Sequence, residues 1–369
     1  MATTAPDAVS ASSAAHNLGT SLFDAVGNTP LLFLPSVARS TGCRILGKAE
    51  FTNPGGSIKD RAAKSLILDA EERGLLKPGG TIVEATGGNT GLALALLANA
   101  RGYKTVITLP ENASREKIEL MRTIGADVRV FPTVPMSDKE NHFYHAAVRL
   151  SETLEGAVFT NQFDNLASMK SHYKGTGPEI WAQADGKIDG FVSASGTGGT
   201  IGGTSKFLKE KNPALKVWLV DPAEITSLTA FVNGETKSYV GEGGVEMVPM
   251  QGAGTTVVEG VGLPRVTPNF LEAKIDKGVT ATNQEVVDMA HFLLRNDGIF
   301  IGASAAMNVV AAVKMARELG PGHTIVTILC DRGEPYRSKL YNPEWLAERK
   351  LSPTVGVNSD HEKDLTFVL

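Results

Sequence analysis

One lysine stands where its amine could do covalent chemistry. Residues 53–62 read NPGGSIKDRA, and Lys59 follows a glycine pair that permits a tight turn. Ser57 can cap a helix beginning there, and apolar residues at helical spacing give that helix a buried face as far as about Gly74. An ammonium group in the first turn faces the positive end of the helix dipole, which lowers its pKa and suits the amine to imine formation. The pattern is equally typical of a solvated lysine on an amphipathic helix, so its meaning depends on the rest of the chain.

A second segment, residues 86–91 (TGGNTG), lies where a β-branched run ends and an apolar helix begins. Its consecutive backbone N–H groups suit an anion such as a carboxylate, and the Asn89 side chain could hydrogen-bond a phenolic oxygen. The alternative is a glycine-rich turn in which Asn89 takes a left-handed conformation.

Two further segments also lie where a predicted strand ends and a helix begins. Residues 196–200 (GTGGT) have the composition of a phosphate cradle, with bare backbone, two hydroxyls and a helix behind them, although they match neither a Walker loop nor GxGxxG. Residues 302–306 (GASAA) place Ser304 at a helix start, where a simple N-cap serine is the alternative. The four segments together supply what an aldehyde-phosphate cofactor and an amino acid require.

The elements around these segments predict how they meet. Strands alternate with helices of about ten to fifteen residues, a pattern typical of βαβ units and parallel sheets. Because each segment follows a strand, we expect all four at the carboxyl edge of a sheet, where ligands bind in α/β folds. Residues 223–277 are predicted to be irregular, and a helix is predicted to begin near Asp138. Thr282 and Glu285 predict a capping box, and Gly320 a helix stop.

Composition excludes several classes of function. The chain has 369 residues, 42% hydrophobic and 21% charged, which is typical of a soluble protein of about two domains. A net charge of −4 without basic clusters argues against nucleic acid, and the absence of a long apolar run argues against a membrane span. Two cysteines are too few for a disulfide framework, and the seven histidines lack ligand spacing, so we expect a reducing compartment and no metal. Residues 1–20 are expected to form a disordered tail without targeting features, and the cytoplasm is the expected location.

The motifs together resemble a known family. The segments NPGGSIKDR, TGGNTG, NQF at residues 161–163, GTGGT, EGVG at residues 259–262 and GASAA are similar, in order and spacing, to those of the cysteine synthase family. The resemblance runs from about Leu22 to Leu351 and is strongest to the fungal and bacterial cysteine synthase-like branch, with cystathionine β-synthase as a relative. It implies a tryptophan synthase β-like (fold type II) pyridoxal-phosphate enzyme, with two α/β domains and the cofactor in the cleft between them.

The resemblance also implies a domain arrangement. Residues 21–58 and 165–352 would form a large cofactor-binding domain, and residues 59–164 a small, mobile domain. Residues 353–369 would form a C-terminal tail. Subunits of the family pair as homodimers, so a homodimer is expected here.

The resemblance assigns roles to individual residues. Lys59 would bind pyridoxal 5'-phosphate covalently and act as acid and base at the substrate Cα. Asn89 would bond the 3′ oxygen of the ring, and Ser304 would face the pyridine nitrogen. A hydroxyl at that nitrogen leaves the ring a weaker electron sink than a carboxylate would, and this favours β-elimination. The phosphate would be held by Gly196, Thr197, Gly198, Gly199 and Thr200. The substrate would be bound by Thr86, Gly87, Gly88, Thr90, Gln162 and Gly262.

The implied activity is β-replacement on an activated serine, either O-acetylserine or O-phosphoserine. The reaction would pass through an aminoacrylate, and sulfide or another small nucleophile would give cysteine or a related β-substituted alanine. A β-eliminating lyase of the cysteine desulfhydrase or serine dehydratase type is the alternative on the same scaffold. A catalytically silent relative would be expected to lack Lys59 or the phosphate loop, and both are present.

Three departures from the family pattern leave the choice of substrate open. Gly87 stands where the family usually has serine, Leu263-Pro264 follows EGVG where small or polar residues are usual, and Ala305-Ala306 stands where glycine is commoner. The latter two changes are expected to flank the substrate pocket. Arg265, which could reach an anionic second substrate, is interpreted instead as a surface arginine on a loop.

Overall fold

The computed structural model describes residue 19 and residues 21–241, 244–252, 254–355 and 365–369. Almost all of the predicted tail at residues 1–20 lies outside these ranges. Within them the strands form a six-stranded, a four-stranded and a two-stranded sheet. The strands are β1 (Leu31–Phe33), β2 (Arg44–Ala49), β3 (Thr81–Ala85), β4 (Lys104–Pro110), β5 (Asp127–Phe131), β6 (Ala157–Phe159), β7 (Gly190–Ala194), β8 (Lys216–Pro222), β9 (Tyr239–Val240), β10 (Glu246–Met247), β11 (Lys277–Ala281) and β12 (Thr324–Leu329).

The six-stranded sheet, here the large sheet, runs in the order β1-β2-β12-β7-β8-β11. Its strands are parallel except for β1, which is antiparallel to β2. Every residue of β7 and β12 is buried, as expected for central parallel strands covered by helices on both faces. The helices of the chain are α1 (Pro35–Thr41), α2 (Lys59–Glu72), α3 (Asn89–Arg101), α4 (Arg115–Ile124), α5 (Phe143–Thr153), α6 (Ala167–Ser171), α7 (Gly177–Gln183), α8 (Gly199–Lys211), α9 (Leu228–Val232), α10 (Pro268–Leu271), α11 (Asn283–Asn296), α12 (Ala303–Leu319) and α13 (Pro343–Ala347).

The four-stranded sheet, here the small sheet, runs in the order β5-β4-β3-β6 and is parallel throughout. All of its strands lie within the segment predicted to form the small domain, and α3, α4 and α5 pack against them. The chain thus has the two α/β layers expected of a tryptophan synthase β-like fold, with mixed and parallel sheets. The boundaries at residues 59 and 164 stay a prediction.

A buried ion cluster of Lys48, Glu50, Arg61 and Glu179 fixes the start of α2. Arg61 Nε lies 2.8 Å from Glu50 Oε2, and Arg61 Nη2 lies 2.7 Å from Glu179 Oε2. Lys48 Nζ lies 2.7 Å from the same Glu179 oxygen. Since an unpaired charge in the interior costs several kcal/mol, about 3–5 by mutagenesis, the four groups depend on one another.

Several local predictions are confirmed and others corrected. The Thr282–Glu285 capping box is present, and Gly320 ends α12. The helix expected near Asp138 begins only at Phe143, because the Asp138 carboxylate accepts the Asn141 N–H at 2.9 Å and forms a local turn instead. The segment expected to be irregular, residues 223–277, contains α9, the β9–β10 hairpin and α10.

The end of the chain packs on the large-sheet helices. Leu365 and Val368 are buried in the core cluster that contains α11 and α12, and Arg317 Nη2 donates to the Leu365 carbonyl at 2.7 Å. Residues 356–364 of the predicted C-terminal tail lie outside the described residues. Among the residues that are described, no helix has the length and apolar character needed to span a membrane.

Candidate active site

The site lies in a cavity of about 580 Å³ between the two sheets. The carboxyl ends of strands from both sheets reach it: Ala85 ends β3, Ala194 ends β7, Gln162 follows β6 and Cys330 follows β12. This is the edge at which ligands bind in parallel α/β sheets. A second cavity of about 760 Å³ lies beside it, but no predicted site residue lines that one.

Lys59 is the first residue of α2 and lines the active-site cavity. The preceding turn requires glycine, since Gly56 has a φ of +82° and a Cβ on Gly55 would lie 2.6 Å from Asp60 Oδ1. The predicted Ser57 cap is wrong, because Ile58 occupies the N-cap of α2 and no side chain caps it. The Ser57 hydroxyl, one residue earlier, accepts the Lys59 N–H at 3.2 Å and so satisfies one donor at the helix end.

The amine of Lys59 has a lowered pKa, as the sequence predicted. The main cause is burial in the cleft, and the nearby Cys330 and Asp331 oppose it. A lysine whose neutral form is favoured suits a nucleophilic amine.

The segment after β3 presents polar groups to the cavity. Asn89 is the first residue of α3, which excludes the alternative of a left-handed turn. Its Nδ2 donates to Asp331 Oδ2 at 2.7 Å, and the Gly88 N–H donates to Thr86 Oγ1 at 3.2 Å. A buried carboxylate thus sets the orientation of the Asn89 amide in the pocket.

Gln162 joins this segment from the far end of the small sheet. Its Oε1 accepts the Thr90 hydroxyl at 2.6 Å, and its Nε2 donates to the Ala85 carbonyl at 3.3 Å. The Gln162 N–H donates to Glu84 Oε2 at 3.1 Å. Burial raises the pKa of Glu84 to about 7. Two predicted substrate-binding residues are therefore held together by a buried network.

The GTGGT segment connects β7 to α8 and has no room for a side chain at its glycine positions. Gly198 has a φ of +85°, and a Cβ there would lie 2.5 Å from the Phe270 nitrogen. A Cβ on Gly196 would lie 2.3 Å from the Gly260 carbonyl oxygen. The loop therefore exposes backbone at the N-terminus of a 13-residue helix, which is the usual arrangement for binding phosphate.

Neighbouring side chains position the two threonines of this loop. The Thr267 hydroxyl donates to the Thr197 carbonyl at 2.7 Å. The Thr200 hydroxyl lies 3.3 Å from His172 Nε2, and burial lowers the pKa of His172 well below its usual value. His172 is therefore a neutral partner of Thr200, not a cation facing the phosphate site.

Ser304 is the second residue of α12 and lines the cavity. Gly302 occupies the N-cap without a side-chain hydrogen bond from Ser304, so the N-cap interpretation is wrong. The serine is close to Cys330, whose pKa burial raises to about 12 while the Ser304 hydroxyl opposes that rise. The hydroxyl is thus directed into the pocket.

The structure brings most of the predicted site residues to one cavity. Its lining includes Lys59, Thr86, Gly87, Gly88, Asn89, Thr90, Gln162, Gly196, Thr197, Gly198, Thr200 and Ser304. Gly199 and Gly262 are not part of the lining, although residues on both sides of each are. Gly262 has a φ of +69°, which indicates a conformational role in the EGVG loop.

Sequence reasoning missed a group of charged and phenolic residues in the same cavity: Lys117, Glu259, Asp331, Tyr336 and Lys339. Asp331 Oδ2 accepts both Asn89 and the Tyr336 hydroxyl, the latter at 2.6 Å. Burial raises the pKa of Asp331, and the nearby Lys117 opposes that rise. Of these five residues, Glu259 lies in the EGVG motif and Asp331 ends the family-like stretch GHTIVTILCD at residues 322–331, but neither was assigned a role in the site.

The departures from the family pattern differ in their relation to the pocket. Gly87 lines it, and a Cβ there would lie 2.9 Å from the Ala113 Cβ, so Ala113 occupies space that a serine would need. Leu263 also lines it. Ala305 and Ala306 are fully buried in the core and absent from the lining, contrary to expectation.

Arg265 is not a surface residue. Its side chain is 13% exposed and its Nη2 lies 2.6 Å from Asp164 Oδ1. Its guanidinium also lies 5.0 Å from the centre of the Phe163 ring. The arginine therefore holds the segment that follows Gln162.

Pyridoxal phosphate fits the groups that are present. The cradle at residues 196–199 has the close backbone approach that a phosphate requires, and a Cβ at Gly196, Gly198 or Gly199 would cause a clash. Lys59 supplies an amine of lowered pKa in the same cavity, and Asn89 and Ser304 supply hydrogen-bonding groups there. These residues would hold the cofactor by its phosphate, its aldehyde carbon and its ring.

Fold and site together define an α/β enzyme that binds a phosphorylated aldehyde cofactor in an interdomain cleft. A family model described as "Pyridoxal-phosphate dependent enzyme" matches residues 22–331, and the chain belongs to this family. A cysteine synthase of Dictyostelium discoideum is 46% identical over 89% of this chain and 86% of its own length. The chain therefore belongs to the cysteine synthase group, as the motifs predicted.

Two solved structures are similar. An O-acetylserine dependent cystathionine beta-synthase from Helicobacter pylori has a TM-score of 0.75 and 31% identity, covering 87% of this chain and 98% of its own. An O-ureido-L-serine synthase has a TM-score of 0.78 and 32% identity, covering 93% of this chain and 98% of its own. Both support the fold type II architecture.

Proposed function

We propose that this protein is a cysteine synthase, which replaces the β-substituent of an activated serine with sulfide. The observation that carries the proposal is the shared cavity, which joins Lys59, the phosphate cradle and the Thr90–Gln162 pair in a chain 46% identical to a cysteine synthase. O-acetylserine is the donor we expect, since it is named for one structural relative.

Pyridoxal phosphate, when bound, withdraws electrons from the substrate Cα and so activates a leaving group on Cβ. We propose that the amine of Lys59 removes the Cα proton and later returns it. Its lowered pKa favours the neutral form that a base requires. Cys330 contributes no nucleophile, because its pKa of about 12 keeps the thiol protonated at neutral pH.

The polar segment after β3 is proposed to bind the substrate carboxylate. Residues 86–88 and Thr90 line the same cavity as the cradle residues Gly196, Thr197, Gly198 and Thr200. Gln162 is fixed by Thr90 and by backbone contacts, so it is preorganised for binding. Loss of the serine hydroxyl at Gly87 leaves backbone donors to hold the carboxylate.

The oligomeric state and location are also proposals. Homodimer formation is supported by the resemblance to the family, and light scattering after size-exclusion chromatography would measure it. A cytoplasmic location is supported by the two free cysteines, Cys43 and Cys330. Cell fractionation would test it.

The direct test is product analysis with the reconstituted protein. O-acetylserine, O-phosphoserine and serine are each supplied with sulfide, and cysteine, pyruvate and acetate or phosphate are quantified. We expect cysteine in equal amount to the leaving group with one donor, and a change in the visible spectrum of the bound cofactor. Pyruvate as the main product with every donor would refute the proposal. The Lys59→Ala variant is the control, and it should bind cofactor without the absorbance of the covalent complex.

A further inference from the structure

An ion cluster in the lining of the active-site cavity joins two of its walls. Lys117 Nζ, on α4, lies 2.7 Å from Glu259 Oε2 in the EGVG loop. Lys339 Nζ lies 2.5 Å from the other oxygen, Glu259 Oε1. All three residues line the cavity. We call them the cross-cleft cluster.

The two ends of the cluster belong to opposite walls. The helix α4 packs on α3 and β5 of the small-sheet layer. Glu259 precedes Gly260, whose carbonyl lies against the Gly196 position of the phosphate cradle on the large-sheet side. The Lys117–Glu259 contact therefore joins the wall that carries the substrate segment to the wall that carries the cradle.

A second pair of contacts reinforces the same crossing. The Ser338 hydroxyl donates to Glu116 Oε1 at 2.6 Å, and this bond is the main cause of the lowered pKa of Glu116, about 2. Lys117 Nζ also lies 4.8 Å from the centre of the Tyr336 ring. The first turn of α4 is thus attached to residues 336–339 at several points.

Burial makes the cross-cleft cluster more than a surface ion pair. The Lys117 side chain is only 4% exposed, whereas the side chains of Glu259 and Lys339 are about one-third exposed. Although burial alone would raise it, the pKa of Glu259 is lowered because the two lysines favour the carboxylate. Opening the cleft would therefore require separation of a desolvated lysine from its partner.

We propose that Lys117, Glu259 and Lys339 determine the outcome of the reaction, by keeping the cavity closed to water between loss of the leaving group and arrival of the nucleophile. The inference rests on the proposed function. With sulfide, the C–O bond at Cβ breaks and a C–S bond forms, so O-acetylserine and hydrogen sulfide give cysteine and acetic acid. When the three-carbon fragment instead meets water, O-acetylserine and water give pyruvate, ammonia and acetic acid. A cavity that is closed to water favours formation of cysteine over formation of pyruvate.

The experiment measures the ratio of pyruvate to cysteine formed from O-acetylserine at limiting sulfide. Lys117→Met removes the buried cation, and Lys339→Met removes the more exposed one, which is the variant expected to fold if the first does not. We expect the ratio to rise about tenfold or more in Lys117→Met and less in Lys339→Met. Arg115→Met is the matched control, because Arg115 lies on the same helix, pairs only with Glu119 in the described structure and is 88% exposed.

The measured ratios distinguish the proposed role of the cross-cleft cluster from the cysteine synthase proposal. An unchanged ratio in both lysine variants, with the wild type forming cysteine, would overturn the role of the cluster and leave the cysteine synthase proposal standing. A wild type that forms mainly pyruvate at saturating sulfide would overturn both. Recovery of a low ratio in the charge-reversed pair Lys117→Glu with Glu259→Lys would support the contact itself rather than either charge alone.

Discussion

Replacing Glu84 by glutamine tests the buried network beneath the substrate segment. Glu84 is a fully buried residue near the end of β3, and its Oε2 accepts the Thr160 hydroxyl at 2.7 Å and the Gln162 N–H at 3.1 Å. Glutamine has the shape of a neutral carboxyl group but cannot ionise. The Glu84→Gln variant therefore shows how much the ionisation of this buried carboxyl group lowers the free energy of unfolding.

The expected effect follows from the pKa of this group. Burial raises it from 4.5 to about 7, so the folded protein binds more protons than the unfolded chain between these values. The stability contributed by the protonated group is full below pH 4.5 and is lost as the pH rises through 7. At about 1.4 kcal/mol per pH unit, the loss amounts to about 3 kcal/mol in the free energy of unfolding.

The assay is urea unfolding of both proteins at pH 5, 6, 7 and 8, at one protein concentration. The free energy of unfolding of the variant minus that of the wild type should rise by about 2.5 kcal/mol over this range, since part of the loss falls below pH 5, with little further change above pH 8. Asp60, whose pKa burial raises to about 6, contributes the same pH dependence to both proteins. If the difference in free energy of unfolding between the two proteins did not change with pH, the prediction that Glu84 is a neutral carboxyl group in the folded protein would be refuted.

Two further predictions concern the glycines of the site. Gly196→Ala should weaken pyridoxal phosphate binding strongly, because the new methyl group would lie 2.3 Å from the Gly260 carbonyl oxygen. Absorbance titration with pyridoxal phosphate would measure the affinity, and an unchanged affinity would contradict the phosphate-binding role of residues 196–200. Gly87→Ser should raise KM for O-acetylserine through contact with Ala113, at a cost of about 1–3 kcal/mol, whereas the double variant with Ala113→Gly should restore it. A double variant no better than the single one would show that Ala113 is not the obstacle.

The sequence predicts those parts of the site that depend on local backbone. The glycine segments follow apolar strands, so their place at a sheet edge follows from βαβ geometry, and their ligands follow from the helix start behind them. The position of Asn89 at the start of α3 is of this kind.

The remaining parts depend on pairings between distant segments. Lys117 and Glu259 are 142 positions apart, and no periodicity in one sequence pairs them. Arg265 was predicted to be a surface arginine because it lies on a loop, whereas its side chain is buried through contacts with Asp164 and Phe163 in another segment. Tertiary contacts of this kind are determined by packing, not by local pattern.

The buried ion cluster at the start of α2 links Lys59 to the large-sheet layer. Arg61 lies two residues after Lys59, and its partners Glu50 and Glu179 belong to elements packed on the large sheet. The first turn of α2 is therefore attached to the layer that carries the phosphate cradle, whereas the rest of the helix packs on α3 of the small-sheet layer. Loss of the ion cluster would free Lys59 from the cradle side and so weaken the attachment of the cofactor at its aldehyde end.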